Sequence, residues 1–242
     1  MRVTRCHVDT QLPVGSRVVL PESAANHLVR VLRLREGDGC VLFNGDGNDC
    51  DARIAVAGKR EVAVEILGLR PVENESPFRI TLLQGIARGE KMDLILQKAT
   101  ELGAAAIAPV LAERTEVKLD AERTGKRMAH WRSVIVSACE QSGRAIVPQL
   151  GAPAPLAGAA RASADSLKLT LDPVGEHTLA SLPASAASAT LAIGPEGGWS
   201  PRDREILRAA GYSGLRLGPR VLRTETAGLA AIAALQSRFG DL

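Results

Sequence analysis

The 242-residue chain predicts an α/β domain with a mostly parallel sheet, preceded by a small β-rich unit. Three observations predict it. Residues 1–70 carry short apolar or alternating runs divided by Gly/Asn/Asp turns, the pattern of a small barrel. Beyond residue 77, strand-length apolar runs alternate with amphipathic helices, which implies parallel strands joined by helical crossovers. Between the two lies PVENESP, residues 71–77, with two prolines and no periodicity. The expected division is therefore 1–70, a linker at 71–77, and 78–242.

In the first unit, Arg17-Val18-Val19-Leu20 and Cys40-Val41-Leu42-Phe43 are short apolar runs. Glu61 to Ile66 alternates and places Val62, Val64 and Ile66 on one face. Asn44-Gly45-Asp46-Gly47-Asn48-Asp49 is a turn between strands. One helix, about Pro21 to Leu34, has Leu28, Val31 and Leu32 as its apolar stripe.

In the second unit, Phe78 to Leu83 opens as a strand. A helix follows over about Glu90 to Leu102, with Met92, Ile95, Leu96, Ala99 and Leu102 at helical spacing and Gly103 as its stop. Ala106 to Val110 is the next strand. A long helix over about Ala121 to Ser142 turns Met128, Trp131, Ile135 and Ala138 inward. Residues 151–190 are rich in Ala, Ser and Pro, with one strand at Leu167 to Leu171 between loose flanks. After the strand Leu191-Ala192-Ile193, Ser200-Pro201 followed by Asp203 marks a helix start: Ser as N-cap, Pro at the first helical position, an acid in the first turn. Leu215-Arg216-Leu217 is a short strand, and an Ala-rich helix runs to Gln236.

Composition narrows the function. Aromatic residues are 2% of the chain, which argues against an aromatic platform for single-stranded nucleic acid. The net charge of +3 permits a nucleic-acid partner without requiring one. Cys6, Cys40, Cys50 and Cys139 form no C-x-x-C and have no histidine at metal-ligand spacing, so they read as structural, with no metal expected. His7, His27, His130 and His177 are scattered and have no evident partner in the sequence. No apolar run nears the roughly 20 residues of a membrane span, and no basic-then-apolar leader opens the chain. A reduced, cytoplasmic protein is expected.

Two glycine-proline loops follow two strands, Gly194-Pro195-Glu196-Gly197-Gly198 and Leu217-Gly218-Pro219-Arg220. Neither matches a dinucleotide or P-loop fingerprint, and the first has a carboxylate where a phosphate loop wants a cation. The ligand expected is a neutral or partly cationic small molecule held by backbone groups. In open α/β sheets such ligands gather beyond the carboxyl ends of strands, so if the two strands are neighbours the loops share one crevice. Two ligand-free turns are the plain alternative.

The stretches IGPEGGWS, LRLGPRVLRTETA, GEKMDLILQKATELG and ACEQSGR resemble the trefoil-knotted SPOUT methyltransferases. The likeness is nearest to the branch that methylates uridine N3 in small-subunit (16S) ribosomal RNA. NHLVRVLRLREGD is similar to the PUA-like RNA-binding barrel of that branch. The resemblance implies a knotted C-terminal domain, a homodimer in which the partner chain completes each site, and S-adenosylmethionine as cofactor. A loop with Glu196 and no basic residue suits a cationic sulfonium. By the family pattern the cofactor is wrapped by Leu171, Ile193, Gly194, Pro195, Gly197 and Gly198, and by Leu217, Gly218, Val221, Leu222, Arg223, Thr224, Thr226 and Ala227.

The reaction implied is in-line methyl transfer to N3, which carries a weakly acidic proton. Arg144 and Arg220 are candidates to stabilise charge developing on the uracil oxygens, and Glu140 is a candidate general base. For Glu140, Gln141 and Arg144 the plain alternative is a solvated helix end, and for Lys98 and Glu101 a wet helix face. Trp199 is read as packing at its turn or shielding the cofactor. Arg30, Arg33 and Arg35, with Arg88 and Lys91, are the RNA-contact candidates, a solvated face being the alternative. Two rivals stand beside the leading reading. One is a non-catalytic RNA-binding or assembly protein of the same fold. The other is a knotted methyltransferase acting on transfer RNA or at a ribose oxygen.

Overall fold

The computed structural model describes residues 4–117 and 120–242. The chain forms two compact units that do not divide it at a single point. The first comprises residues up to Glu75 together with Cys139–Val147; the second comprises Ser76–Ala138 and Pro148–Leu242.

The first unit is a five-stranded sheet built from β1 (Arg5–His7), β2 (Arg17–Val19), β3 (Gly39–Phe43), β4 (Asn48–Ala57) and β5 (Val62–Pro71), in the order β1-β3-β4-β5-β2. Only β1 and β3 pair in parallel. Val62, Val64 and Ile66 are buried as their alternation predicts, in a core with Leu20, Leu28, Leu42 and Ile54. The turn before β4 closes locally: the Asn44 side chain accepts from Asp46 N–H and the Asp46 side chain from Asn48 N–H.

The expected helix over 21–34 is not a regular one. A single α-helical turn, α1 (Glu22–Ala25), passes into a π-helical stretch over Asn26–Val31. Leu32 N–H bonds the His27 carbonyl five residues back. The wider turn carries later side chains off the predicted stripe. Leu28 stays fully buried, but Val31 is 66% exposed and Leu32 is exposed too. Val29 and Leu34 pack against the core in their place.

The second unit holds β6 (Arg79–Gly85), α2 (Glu90–Glu101), β7 (Ala104–Leu111), α3 (Ala121–Ser142), β8 (Gln149–Leu150), β9 (Ala154–Pro155) and α4 (Leu156–Ala162). It continues with β10 (Leu167–Leu171), β11 (His177–Thr178), β12 (Ser188–Ile193), α5 (Pro201–Ala209), β13 (Ser213–Arg216) and α6 (Thr224–Phe239). The last residues of α3 belong to the first unit. The sheet order is β11-β13-β10-β12-β6-β7-β8, with β9 also on β7, and every pairing is parallel. Central strands of such a sheet are covered on both faces, and β12 is buried from Ala189 to Ile193. Helices α2 and α6 pack together on one side. On the other, α4 and α5 enclose Leu83, Ala192, Leu156, Ala160 and Leu207.

The N-terminus of α5 forms as its sequence predicts. Ser200 Oγ accepts from Asp203 N–H at 3.0 Å, and the Asp203 carboxylate accepts from Ser200 N–H at 3.1 Å. The loose flanks expected around β10 are instead partly ordered by β9, α4 and β11. Helix α4, LAGAARA, shows little apolar bulk in sequence because it packs through small side chains, Ala160 being fully buried.

Two strand-end segments pass so closely that a side chain cannot fit between them. A Cβ on Gly85, at the end of β6, would lie 2.5 Å from the Pro195 nitrogen beyond β12. Gly85→Ala is therefore expected to force the two segments apart, costing roughly 1–3 kcal/mol as overpacking does. The measurement is the midpoint of chemical denaturation. An unchanged midpoint would contradict the crossing.

Candidate functional site

A cavity of about 400 Å³ opens at the carboxyl ends of three strands. Beyond β10 it is lined by Leu171, Asp172 and Pro173. Beyond β12 it is lined by Ile193, Gly194, Pro195, Glu196, Gly198 and Trp199. From β13 onward it is lined by Leu215, Leu217, Gly218, Arg220 to Thr224, and Ala227. Both glycine-proline loops thus face one crevice, although β12 and β13 are not neighbours: β10 lies between them and adds the third wall. Such a position at parallel strand ends is where ligands of open α/β sheets bind.

The local chemistry places each loop. Gly198 has φ of 63° and closes the turn by donating to the Pro195 carbonyl at 2.8 Å. Thr224, in the first turn of α6, donates its hydroxyl to the Gly194 carbonyl at 2.6 Å. Trp199 is buried and donates its indole N–H to Thr170 Oγ at 2.9 Å, so it both packs at the turn and walls the cavity.

Most of the residues expected around the ligand lie there, but Gly197 and Thr226 are not among the lining residues. Gly197 faces the loop after β7. Its carbonyl accepts from Arg114 at 3.0 Å, and a Cβ would touch that arginine's. Thr226 is exposed on α6. Asp172, Pro173, Arg204 and Leu215 line the cavity without having been singled out. The first two directly follow the predicted strand 167–171, a usable signal. Arg204 reaches Asp172 at 2.5 Å from α5, a pairing that no spacing announces.

The charges of the lining are largely committed. Burial favours protonation of Glu196. Hydrogen bonds from the N–H groups of Arg88 and Glu196 itself, and the ammonium of Lys91 at 3.5 Å, outweigh it and hold the carboxyl below its ordinary value. This carboxylate is therefore not the free counter-charge that the loop sequence suggests. Arg88 and Lys91, expected at RNA, also serve this loop, and Arg88 pairs with Glu116 as well. Asp172 accepts from Val174 N–H in addition to Arg204. Arg220 and Arg223, by contrast, are exposed at the cavity wall.

Glu140 and Arg144 lie in the first unit and do not line the cavity. Glu140 Oε1 accepts from His7 N–H at 3.0 Å. Arg144 is 4% exposed and makes a two-pronged pair with Glu75, Nε to Oε1 at 2.8 Å and Nη2 to Oε2 at 2.5 Å. A solvated helix end does not describe it. Lys98 and Glu101 pair with each other on α2, as a wet face would. Two histidines do have neighbours: His130 reaches Asp93 at 2.9 Å and the His7 ring meets Phe43 edge-on. These partners are far apart in sequence, which is why the sequence does not disclose them. The four cysteines are free and buried, and burial pushes Cys6 up to about 12 and Cys139 to about 11. They stay as thiols, unsuited to nucleophilic work. Among the described residues no cluster of three or more His, Cys, Asp or Glu could hold a metal ion, and no helix is long and apolar enough to cross a membrane.

Arg30, Arg33 and Arg35 are all exposed around the end of the π-helical stretch. Arg33 has φ of 58°, the only non-glycine residue in the left-handed region among those described.

The chain matches the RNA methyltransferase domain family over residues 74–236 and the RNA methyltransferase PUA domain family over residues 20–67. It is 32% identical to the ribosomal RNA small subunit methyltransferase E of Buchnera aphidicola over 242 residues, covering 100% of this chain and 98% of the relative. It is 31% identical to the Bacillus subtilis protein of the same name, covering 87% of this chain and 86% of that one. Two solved structures are similar over 100% of both chains. One is a Legionella pneumophila methyltransferase in complex with S-adenosylmethionine, at 39% identity and a TM-score of 0.97. The other is the Neisseria gonorrhoeae ribosomal RNA small subunit methyltransferase E bound to the same molecule, at 38% identity and a TM-score of 0.92. With a parallel strand-end cavity at one end of its chain and a PUA-type barrel at the other, this chain belongs to the RNA methyltransferase family, in its small-subunit methyltransferase E group.

Proposed function

We infer that the chain transfers the methyl group of S-adenosylmethionine to N3 of a uridine in 16S ribosomal RNA, acting as a homodimer. The observation that carries this is the cavity at the ends of β10, β12 and β13. Its residues fit the cofactor. Leu171, Ile193, Leu217, Val221 and Leu222 offer apolar walls to a planar adenine, and the loops offer backbone groups to its edge. Asp172 is an acceptor suited to ribose hydroxyls. A volume of about 400 Å³ suits a ligand of this size. When bound, the cofactor supplies a methyl group activated on sulfonium.

The chain's own residues must then bring N3 within reach, exclude water and manage one proton. Arg220, exposed at the cavity wall, is the guanidinium proposed to stabilise negative charge on the uracil oxygens as N3 loses its proton. Arg144, expected to share that task, has its guanidinium committed to Glu75, so it acts instead in holding the end of α3. Glu140 is the proposed base, contributed to the site through the dimer. Arg30, Arg33 and Arg35 are proposed to contact phosphates and so position the RNA.

The direct test is to incubate the purified protein with S-adenosylmethionine and unmodified 16S rRNA, then map the product by mass spectrometry. A single 3-methyluridine is expected. RNA binding with no methyl transfer would instead favour a non-catalytic role, and methylation on a ribose or on transfer RNA would redirect the substrate.

Arg220→Ala should lower kcat by about 10²–10³, the loss seen when one charge-stabilising donor is removed, while cofactor affinity stays unchanged. Full turnover in this variant would refute the assignment. The triple variant Arg30→Ala, Arg33→Ala, Arg35→Ala should weaken RNA binding and flatten its dependence on salt. The log–log slope should fall by roughly 0.7–0.9 for each phosphate left without its arginine. An unaltered slope would remove these residues from the interface.

A further inference from the structure

Gln84 is a polar residue where the packing calls for an apolar one. It lies near the end of β6, fully buried, with Leu82, Leu83, Ile86 and Ala87 buried around it in sequence. Its Nε2 donates to the Gly85 carbonyl at 2.8 Å and to Thr224 Oγ at 3.1 Å. Its Oε1 is buried and accepts no hydrogen bond from the described residues. The unsatisfied Oε1 carries a desolvation cost that an apolar side chain of the same shape would avoid. Stability therefore does not explain the residue.

The hydrogen-bond directions do. A hydroxyl that accepts from an amide N–H has its own hydrogen free to point elsewhere. Thr224 points its hydrogen at the Gly194 carbonyl, 2.6 Å away. Gln84, Thr224 and Gly194 thus form one directed chain from the sheet interior to the first glycine loop, and each link strengthens the next. Thr224 and Gly194 line the cavity; Gln84 does not. A threonine in a helix otherwise has competing choices, including backbone carbonyls of its own segment.

We propose that Gln84 is a positioning residue for the cofactor cavity: by fixing the Thr224 hydroxyl, it sets the separation between the glycine loop after β12 and the first turn of α6. This rests on the cofactor reading above. It concerns the shape of the cavity and not contact with the ligand.

The test uses the full-length protein, with S-adenosylhomocysteine as probe. Gln84→Met keeps the bulk and removes both hydrogen bonds. Calorimetric titration should show affinity weakened roughly three- to tenfold, the worth of about one net hydrogen bond. The unfolding temperature without ligand should change little, since the two lost hydrogen bonds are offset by removal of the unsatisfied Oε1. Thr224→Val should weaken binding by a similar factor, and the double variant should be no weaker than the weaker single one, because both break one chain. Unchanged affinity in Gln84→Met overturns the proposal. So does a fall in unfolding temperature alongside affinity, which marks a merely structural role, and so do losses that multiply in the double variant. If Gln84→Met does not fold, unchanged affinity in Thr224→Val overturns it alone. Wild-type protein that binds no S-adenosylhomocysteine would instead overturn the cofactor reading, a result visible before any variant is made.

Discussion

The second unit depends on backbone meeting backbone at the ends of its parallel strands. Gly85 lies against Pro195, and Gly175 lies against Gly214, where a Cβ would fall 2.6 Å from the Gly214 carbonyl carbon. These approaches place the end of β6 against the loop after β12, and the segment after β10 against β13. Loops so held cannot swing as independent surface turns. The loop after β12 is backed by β6, and a side chain on Gly85 would press on Gly194 and Pro195, which line the cavity.

That anchoring explains how a site without a phosphate-binding signature can still be specific. Its two carboxylates are spoken for: Glu196 by Arg88 N–H and Lys91, Asp172 by Arg204 and Val174 N–H. What faces the interior is mostly aliphatic surface and main chain. Such a lining selects by shape and by directed hydrogen bonds. A ligand with an apolar plane and a few hydroxyls suits it, and Arg220 and Arg223 are exposed cations at the wall.

How much of this was legible in the sequence depended on how local the cause was. Capping is local, so Ser200-Pro201 announced α5, and the spacing of Met92, Ile95, Leu96 and Ala99 announced α2. Strand ends followed by Gly and Pro announced the two loops, and the family resemblance supplied the expected ligand. The π-helical stretch escaped because its apolar residues also suit an α-helix; only the observed carbonyl partner of Leu32 distinguishes them. Helix α4 escaped because alanine packing leaves no large apolar stripe. Arg204, Gln84 and the Arg144–Glu75 pair escaped because each is defined by a partner 32 or more residues away.

The Arg144–Glu75 pair also shows why burial changes the meaning of a motif. For Glu140, Gln141 and Arg144 the sequence leaves a solvated helix end as the plain alternative. In the fold, Asn74 donates to the Gly143 carbonyl, and Arg5 donates to the Cys139 carbonyl and pairs with Asp49 at 2.6 Å. Desolvating so many charges contributes little net stability, since each pair must first offset the hydration it loses. Removing one partner alone would strand the other, at a cost of about 3–5 kcal/mol. An arrangement that is cheap to replace as a pair but costly to break singly fixes geometry more than it adds strength. It therefore specifies where the end of α3 lies within the first unit, and it does so with a guanidinium that chemistry at N3 would otherwise have been expected to use.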